Sequence, residues 1–388
     1  MVAKSKASKS PFGKESRREI LTRHFKQRPV RMDRAWEFVY RELLWIDGST
    51  GLGHLYESDK AQPGRSVWYE RTVKFTDRLC AEFGNITRDQ LKSKIDQLFK
   101  ECLQRLIEAR KKTSQTDEIA QAIAEEGEDA LSEEVVAEAD DATEQPADYV
   151  PDADLVAEFT QLLIGRLQLT AEVAEPLART LVGKARYYFT VERKRQNVLG
   201  EGFEDLLQLL IAKLTTVPAD QIAIRKKADL LPGFAANHNR DRIEAPDLAV
   251  IVSGETKLLA SIKWSLRQDR QKQLSDELDC YAALLSQDQF PRYVLITNEY
   301  DPGRLINTNA LSRRGQTISC MYHVNPDLLR EVLSDGQKYE EELLPLVQLN
   351  RLRSVGDFLK DIEATYGTNM PHQPLTTDQK RQLRRRKQ

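Results

Sequence analysis

The sequence predicts an α/β protein with a mixed central sheet flanked by helices and with an added N-terminal helical region. Two apolar runs rich in β-branched residues predict sheet strands, D-L-A-V-I-V at 247–252 and Y-V-L-I-T at 293–297. Helix-period spacing of apolar residues precedes, separates and follows these runs. Because strands that alternate with helices favour a sheet covered by helices, we expect one large buried core within this 388-residue chain.

The first 112 residues are predicted to form a helical module that begins with a basic arm. Residues 1–34 are rich in Lys and Arg. Helix-like spacing of apolar residues recurs over 30–44, 67–83 and 87–110. The sequence Thr87-Arg-Asp-Gln90 matches a capping box, which marks a helix start. The aromatic residues between Trp36 and Trp45 are expected to lie in the core.

An acidic linker is predicted over residues 113–152. No Lys or Arg occurs between Thr113 and Gly165, and the linker has few aromatic residues, so it cannot bury enough apolar surface to order itself. We therefore predict a disordered, solubilising spacer, with transient covering of basic surface as a second hypothesis. Residues 153–388 form the last predicted domain, which ends in the basic tail 380–387.

A hairpin is predicted from residues 247–264. The runs 247–252 and 256–264 are both strand-like, and Gly254 between them supplies a turn. Residues equidistant from the turn face each other, so Asp247 is expected near Ser261. Because side chains alternate between the two faces of a strand, Lys263 shares the face of Ser261 and reaches the same cleft as Asp247.

A second acid-x-Lys triplet, Glu255-Thr-Lys257, competes with this assignment. It lies at the turn, roughly 20–25 Å from Asp247 at ~3.3 Å per strand residue. We therefore interpret the triplet as a solvated turn and prefer Lys263. That choice leaves Ser261 where an acid would stand two residues before the lysine.

The segment after Ser265 is predicted to be a helix that carries a buried acid. Apolar and aromatic residues recur with helical period at Leu274, Leu278, Tyr281, Leu284 and Leu285. Glu277 lies on the same stripe, where a carboxylate is costly unless it is paired or binds a metal. Arg267 and Arg270 project from the first turns, where cations oppose the helix dipole. Their position indicates an external anion or base edge as their target.

Together these residues resemble the type II restriction endonucleases of the PD-(D/E)xK superfamily. The branch that recognises CCGG has a Pro-Asp, a Ser-x-Lys, an Arg-x-Asp-Arg after the lysine, and a glutamate displaced onto the next helix. The corresponding residues here are Pro246-Asp247, Ser261-Ile-Lys263, Arg267-Gln-Asp269-Arg270 and Glu277. The match spans residues 246–277, and its specificity comes from the combined set with its spacings.

The resemblance implies a restriction-endonuclease-like fold and a Mg²⁺-dependent catalytic site. Asp247, Glu277 and the backbone carbonyl of Ile262 would hold the ion, and Lys263 would orient or activate the attacking water. Ser261 would take the place of the missing acid. The family also has an accessory glutamate on a preceding helix. Glu204, at the predicted start of a helix from about residue 202, is our choice, and Glu201 remains an alternative.

The implied substrate is double-stranded DNA that contains CCGG, cut to leave 5′-phosphates. Guanine offers two acceptors that match an arginine, and cytosine offers a donor that matches a carboxylate. Arg267 and Arg270 are therefore expected on guanines and Asp269 on cytosines. A palindromic site implies a homodimer or a higher homo-oligomer. The N-terminal module could serve dimer contacts or DNA wrapping, and the sequence leaves both open.

Several other classes of function are not indicated. The four cysteines are dispersed and predict reduced thiols in the core, without metal-ligand spacing. No signal peptide, membrane span or phosphate-binding glycine loop is present, so we expect a bacterial or archaeal cytoplasmic enzyme with no membrane partner and no nucleotide cofactor. The alternatives are a non-catalytic DNA-binding protein and a structure- or damage-directed nuclease with the same catalytic motif.

Overall fold

The computed structural model describes residues 10–48, 50–55, 63–64, 66–109, 153–235, 244–285, 289–333 and 339–368. The predicted linker 113–152 and the basic tail 380–387 lie outside the described residues. The described residues form two compact units, one from residues up to Arg17 with Phe99–Glu201, the other from Arg18–Leu98 with residues from Gly202 onward. The domain boundaries predicted at 112 and 152 remain a prediction.

Helices form most of the described chain. They are α1 (Lys14–Gln27), α2 (Ala35–Leu43), α3 (Ser66–Glu82), α4 (Arg88–Lys94), α5 (97–109), α6 (Ala153–Leu167), α7 (Ala171–Leu214), α8 (Gln268–Leu284), α9 (Pro302–Asn309), α10 (Pro326–Val332), α11 (Leu344–Gln348) and α12 (Val355–Tyr366). The predicted capping box is present, because the Thr87 hydroxyl accepts from the Gln90 amide and the Gln90 side chain accepts from the Thr87 amide. In the described part of the chain, no helix has the length and apolarity needed to cross a membrane.

A mixed six-stranded sheet lies in the second unit. The strands are β1 (Ile222–Ile224), β2 (Leu248–Val252), β3 (Glu255–Lys263), β4 (Arg292–Thr297), β5 (Ser312–Arg313), β6 (Gln316–Thr317), β7 (Cys320–His323) and β8 (Leu352–Ser354). The sheet order is β1-β2-β3-β4-β7-β8, while β5 and β6 form a separate small hairpin. Strands β1 to β3 pair antiparallel, and β3, β4, β7 and β8 pair parallel. The predicted α/β class is confirmed.

The central strands are buried, and this burial explains their composition. Residues 258–263 of β3 and 293–297 of β4 are all buried, which is typical of parallel strands whose two faces are both covered. A parallel pair also requires a crossover connection, and α8 supplies it between β3 and β4. The start of α8 therefore lies just beyond the carboxyl end of β3, near Lys263.

The N-terminal helix α2 belongs to the core of the second unit. Phe38 and Tyr40 are fully buried, as predicted for this aromatic segment. The Tyr40 hydroxyl donates to Asn298 Oδ1 at 2.8 Å and lies 2.8 Å from the Tyr300 hydroxyl. Both partners follow β4 in the chain, and burial raises the pKa of the Tyr40 phenol well above its usual value. These polar contacts fix α2 against the segment that leaves the central sheet.

Two details of the predicted elements are wrong. A helix was predicted to start near residue 202, but α7 runs without interruption from Ala171 to Leu214, so Glu204 lies in its last third. Gly200 and Gly202 lie inside this helix, where each glycine costs only about 1 kcal/mol and packing can offset the cost. The edge strands β1 and β8 were not predicted, because three residues are too few to show alternation.

His323 makes the stability of the fold dependent on pH. It is fully buried at the end of β7, where Nδ1 accepts from the Asn325 amide at 3.1 Å and Nε2 donates to the Glu299 carbonyl at 3.0 Å. A neutral imidazole satisfies both bonds, and burial lowers its pKa to about 4. The unfolded chain, with a histidine pKa of about 6.5, therefore takes up the proton first as pH falls.

We expect His323 to remove about 2 kcal/mol from the free energy of unfolding between pH 7.5 and pH 5. Urea unfolding at both pH values measures this loss. The glutamine of His323→Gln cannot be protonated, so the difference in the free energy of unfolding between the two pH values should be smaller in this variant by that amount. An equal pH dependence in wild type and variant would contradict the assignment.

Candidate active site

The β2–β3 hairpin brings Asp247 and Lys263 to one face of the sheet. Its two-residue turn, Ser253-Gly254, has positive φ at both positions, as tight hairpins require. The pairing shifts by one residue between Val250 and Ile251, so that Leu248 pairs with Ala260. Without this bulge, Asp247 would lie opposite Ala260. The side chains of Ser261 and Lys263 would then point to the opposite side of the sheet from Asp247. The bulge therefore places Ser261 and Lys263 on the side of Asp247.

Three donors converge on one oxygen of Asp247. Its Oδ2 accepts from the Ile262 amide at 2.6 Å and from the Lys263 ammonium at 2.8 Å, and the Ser261 hydroxyl lies 3.4 Å away. Among the described residues, no hydrogen bond reaches Oδ1. The carboxylate is thus held in one orientation with its second oxygen available to another ligand.

Glu277 comes from α8 and completes the cluster from the other side of Lys263. Its Oε1 lies 3.6 Å from the Lys263 ammonium, and its Oε2 accepts from the Tyr293 hydroxyl at 2.9 Å. Glu277 is buried together with the predicted stripe of α8, which includes Leu274, Leu278, Tyr281 and Leu284. The helical period therefore identified an acid that does reach the site.

Burial and mutual repulsion shift the pKa values of the cluster. Burial raises the pKa of Glu277, the nearby Asp247 charge adds to this, and Lys263 opposes it. Burial works against the charge on Lys263, but the carboxylates of Asp247 and Glu277 outweigh it and raise the pKa of the ammonium. The two acids thus favour the charged form of Lys263, and the three groups together have a net charge of −1 when both acids are ionised.

The structure brings Glu204 to this cluster and not Glu201. Glu204 is buried, and its pKa is raised by burial and, more weakly, by the charge of Asp247. Both of its oxygens accept from Arg225, at 2.6 and 2.8 Å. Glu201 instead pairs with Arg17 at 2.6 Å in the other compact unit. Of the two candidate glutamates, Glu204 is therefore the one that lies beside Asp247 and Lys263.

Arg225 is a site residue that sequence reasoning missed. It follows the last residue of β1 with a φ of 49°, a left-handed conformation that is uncommon outside glycine. Its amide donates to the Asp247 carbonyl at 3.4 Å while its side chain holds Glu204. The only sequence signal was a run of three basic residues, Arg225-Lys-Lys227, between a helix and the hairpin.

The residues expected to read DNA lie at the exposed start of α8. Arg267 precedes the helix as its N-cap residue and is not part of it, whereas Asp269 and Arg270 lie in the first turn. Asp269 is 3.7 Å from Arg267 Nε and 4.0 Å from Arg270 Nε. Ion pairs this long between exposed side chains contribute only ~0–1 kcal/mol. A partner with better geometry can therefore displace them at little cost.

A buried carboxylate, Glu299, holds the chain segment that leads into α8. Its Oε2 accepts from the Leu266 amide at 2.7 Å and from Arg304 at 3.2 Å. Its Oε1 accepts from the amides of Tyr300 and Asp301 at 3.0 and 2.8 Å. The connection between β3 and α8 is thus fastened to the segment after β4. Sequence reasoning missed Glu299, because the contact joins residues distant in the chain.

The competing triplet lies at the exposed turn, as predicted. The side chains of Glu255 and Lys257 are 67% and 45% exposed and pair with each other. Lys257 is also the extra residue of the bulge, since Val250 pairs with Leu258 and Ile251 with Thr256. Within the described residues, this pair has no contact with the Asp247 cluster.

The donor atoms at the cluster suit a small, hard cation. Asp247 Oδ1 and the Glu277 carboxylate are hard oxygen ligands, and Mg²⁺ is commonly held by one or two carboxylates with waters and substrate oxygens. Continuing the register places Pro246 opposite Ile262, and a proline has no amide to donate to the Ile262 carbonyl. Among the described residues, no group of three or more His, Cys, Asp or Glu side chains has a metal-holding arrangement. The site therefore fits Mg²⁺ only as a two-carboxylate site.

Comparison with known proteins does not identify a family for this chain. No protein-family model and no curated protein matches the chain. What the chain does must therefore be argued from the geometry of Asp247, Lys263 and Glu277 and from the exposed start of α8.

Proposed function

We propose that this chain is a Mg²⁺-dependent endonuclease that hydrolyses double-stranded DNA at a palindromic site containing CCGG. The observation that carries the proposal is the placement of one ammonium, Lys263, 2.8 Å from Asp247 and 3.6 Å from Glu277. The Asp247 side chain is partly exposed, and its Oδ1 accepts no hydrogen bond from the described residues, which leaves this oxygen open to a metal ion. The fold proposed for this site is restriction-endonuclease-like.

The roles follow from the chemistry of each group. Asp247, Glu277 and the Ile262 carbonyl would hold Mg²⁺, which would lower the pKa of a bound water and stabilise the negative charge that develops on the phosphoryl oxygens. The two acids raise the pKa of the Lys263 ammonium, which would orient or activate the attacking water and offset phosphate charge. Cleavage would leave 5′-phosphate and 3′-hydroxyl ends.

Glu204 and Ser261 would position Lys263 and the acids Asp247 and Glu277. Glu204 is buried, and its charge supports the protonated state of Lys263. Ser261 offers its hydroxyl to the same acids and fills the position of an acid in the more usual motif. Both are positioning groups in this proposal.

Sequence preference would come from Arg267, Asp269 and Arg270. A guanidinium binds O6 and N7 of guanine with two hydrogen bonds, and a carboxylate accepts from N4 of cytosine. All three side chains are at least 42% exposed, so the bases can reach them. Two copies related by a two-fold axis would read both halves of a palindrome and cut one strand each.

Plasmid digestion tests the proposal against its alternatives. The protein is incubated with plasmid DNA in Mg²⁺ or in EDTA, and the product ends are sequenced. Discrete fragments that end within CCGG-containing sites support the proposal. Random nicks would indicate a structure- or damage-directed nuclease, and intact plasmid in Mg²⁺ would indicate a non-catalytic DNA-binding protein.

A further inference from the structure

A run of three cations, Arg225-Lys226-Lys227, lies beside the candidate active site. It follows β1, the edge strand of the sheet, and all three residues are exposed. Arg225 is bonded to Glu204, and the two further cations that follow it at the sheet edge are exposed and accessible to a ligand.

The backbone fastens this run next to Asp247. Ile224 pairs with Leu248, so the register places Arg225 opposite Asp247, whose carbonyl accepts from the Arg225 amide at 3.4 Å. Beyond the run, the Ala228 amide donates to the Glu244 carbonyl at 3.2 Å. The backbone is therefore hydrogen-bonded at both ends of the run, which fixes the backbone positions of Lys226 and Lys227 near Asp247.

The charges of the run are only partly compensated. Arg225 directs its guanidinium to Glu204, with bonds of 2.6 and 2.8 Å. Lys226 and Lys227 have no ion pair among the described residues. Two uncompensated ammonium groups therefore stand at the edge of a site whose proposed substrate is a polyanion.

We propose that Lys226 and Lys227 bind the phosphodiester backbone of DNA next to the scissile bond, with Arg225 as the residue that positions them. This inference rests on the proposed function. A scissile phosphate at Asp247 brings its neighbouring phosphates to the same sheet edge, and duplex DNA carries one charge per ~1.7 Å of helix axis. Lysine is a flexible point charge, which suits phosphate contacts that are independent of sequence.

This role differs from that of the arginines on α8. Arg267 and Arg270 present planar donor groups that match base edges, whereas Lys226 and Lys227 would contribute affinity without selecting a sequence. The two sets lie on different elements, the segment after β1 and the start of α8. The two contributions can therefore be separated by experiment.

The test is the salt dependence of DNA binding by the double variant Lys226→Gln/Lys227→Gln. Binding to a CCGG duplex and to a scrambled duplex is measured without divalent metal at salt concentrations of ~50–200 mM, a range over which the affinity of phosphate contacts changes strongly. Removing one lysine–phosphate interaction should reduce the slope of log K against log salt by about 0.9, so the double variant should show a slope smaller by about 1.8. Affinity for both duplexes should fall by the same factor, roughly tenfold or more at 0.1 M salt.

The matched control is Lys213→Gln/Lys360→Gln, which removes the same charge from exposed positions in the same compact unit. Lys213 lies nine residues beyond Glu204 on α7, about 13 Å along the helix axis, and Lys360 lies on α12. This control should keep the wild-type slope. Thermal unfolding of both double variants verifies that each is folded.

Equal slopes in the two double variants, or a wild-type slope in Lys226→Gln/Lys227→Gln, would overturn the inference and leave the proposed nuclease intact. A fall restricted to the CCGG duplex would also overturn it, because it would make the lysines base readers. If the wild-type protein binds neither duplex at any salt concentration, the proposed function fails together with the inference.

Discussion

We expect Asp247→Asn and Lys263→Ala each to abolish cleavage of a CCGG duplex while specific binding persists. Asparagine keeps the shape of Asp247 but removes the charge that pairs with Lys263 and would hold Mg²⁺. Lys263→Ala removes the cation between Asp247 and Glu277. Removing a charged group at a reacting phosphate should lower the cleavage rate by roughly 10³-fold or more. Single-turnover cleavage and binding in Ca²⁺ measure the two properties separately.

The matched control for Lys263 is Lys257→Ala on the same strand. Lys257 belongs to the exposed triplet at the turn, where it pairs with Glu255. This variant should cleave at the wild-type rate. Full activity in Lys263→Ala, together with loss of activity in Lys257→Ala, would show that the wrong acid–lysine pair was chosen.

We expect Arg267→Ala and Arg270→Ala to reduce the proposed preference for CCGG. A good two-bond interaction between an arginine and guanine contributes about 1–3 kcal/mol of discrimination. The ratio of affinities for a CCGG duplex and a scrambled duplex should therefore fall by roughly 5- to 150-fold in each single variant. Both side chains are exposed, so their removal should leave the free energy of unfolding almost unchanged.

Lys272→Ala, on an exposed position of the same helix, is the control for general loss of charge. It should weaken binding to both duplexes by a similar factor and preserve their ratio. If Arg267→Ala and Arg270→Ala behave in the same way as Lys272→Ala, they contact phosphates and the CCGG assignment is wrong.

The local part of the site followed from periodicity. A period of two placed Ser261 and Lys263 on one face, and a turn at Gly254 aligned them with Asp247; the observed register confirms this alignment. A period of 3.6 placed Glu277 on the buried stripe of α8. The shared face of Ser261 and Lys263 and the burial of Glu277 hold because each depends on residues that are close in the chain and on geometry that every strand or helix shares.

The bulge between Val250 and Ile251 gives the alignment its physical basis. A two-residue turn with regular pairing would have set Asp247 opposite Ala260, on the wrong face for Lys263. Nothing in the residue types near Lys257 marks it as the extra residue. The predicted alignment was therefore right, but its cause could be seen only in the pairing of the two strands.

The sequence by itself determined the class of fold, the hairpin and the grouping of Asp247, Lys263 and Glu277 as one cluster. Only the tertiary structure decided that Glu204 and not Glu201 joins it, and that Arg225 connects this glutamate to Asp247. The reason is that local periodicity repeats within a few residues. The meeting of α7, β1 and the hairpin depends instead on the packing of elements far apart in the chain, which no short pattern encodes.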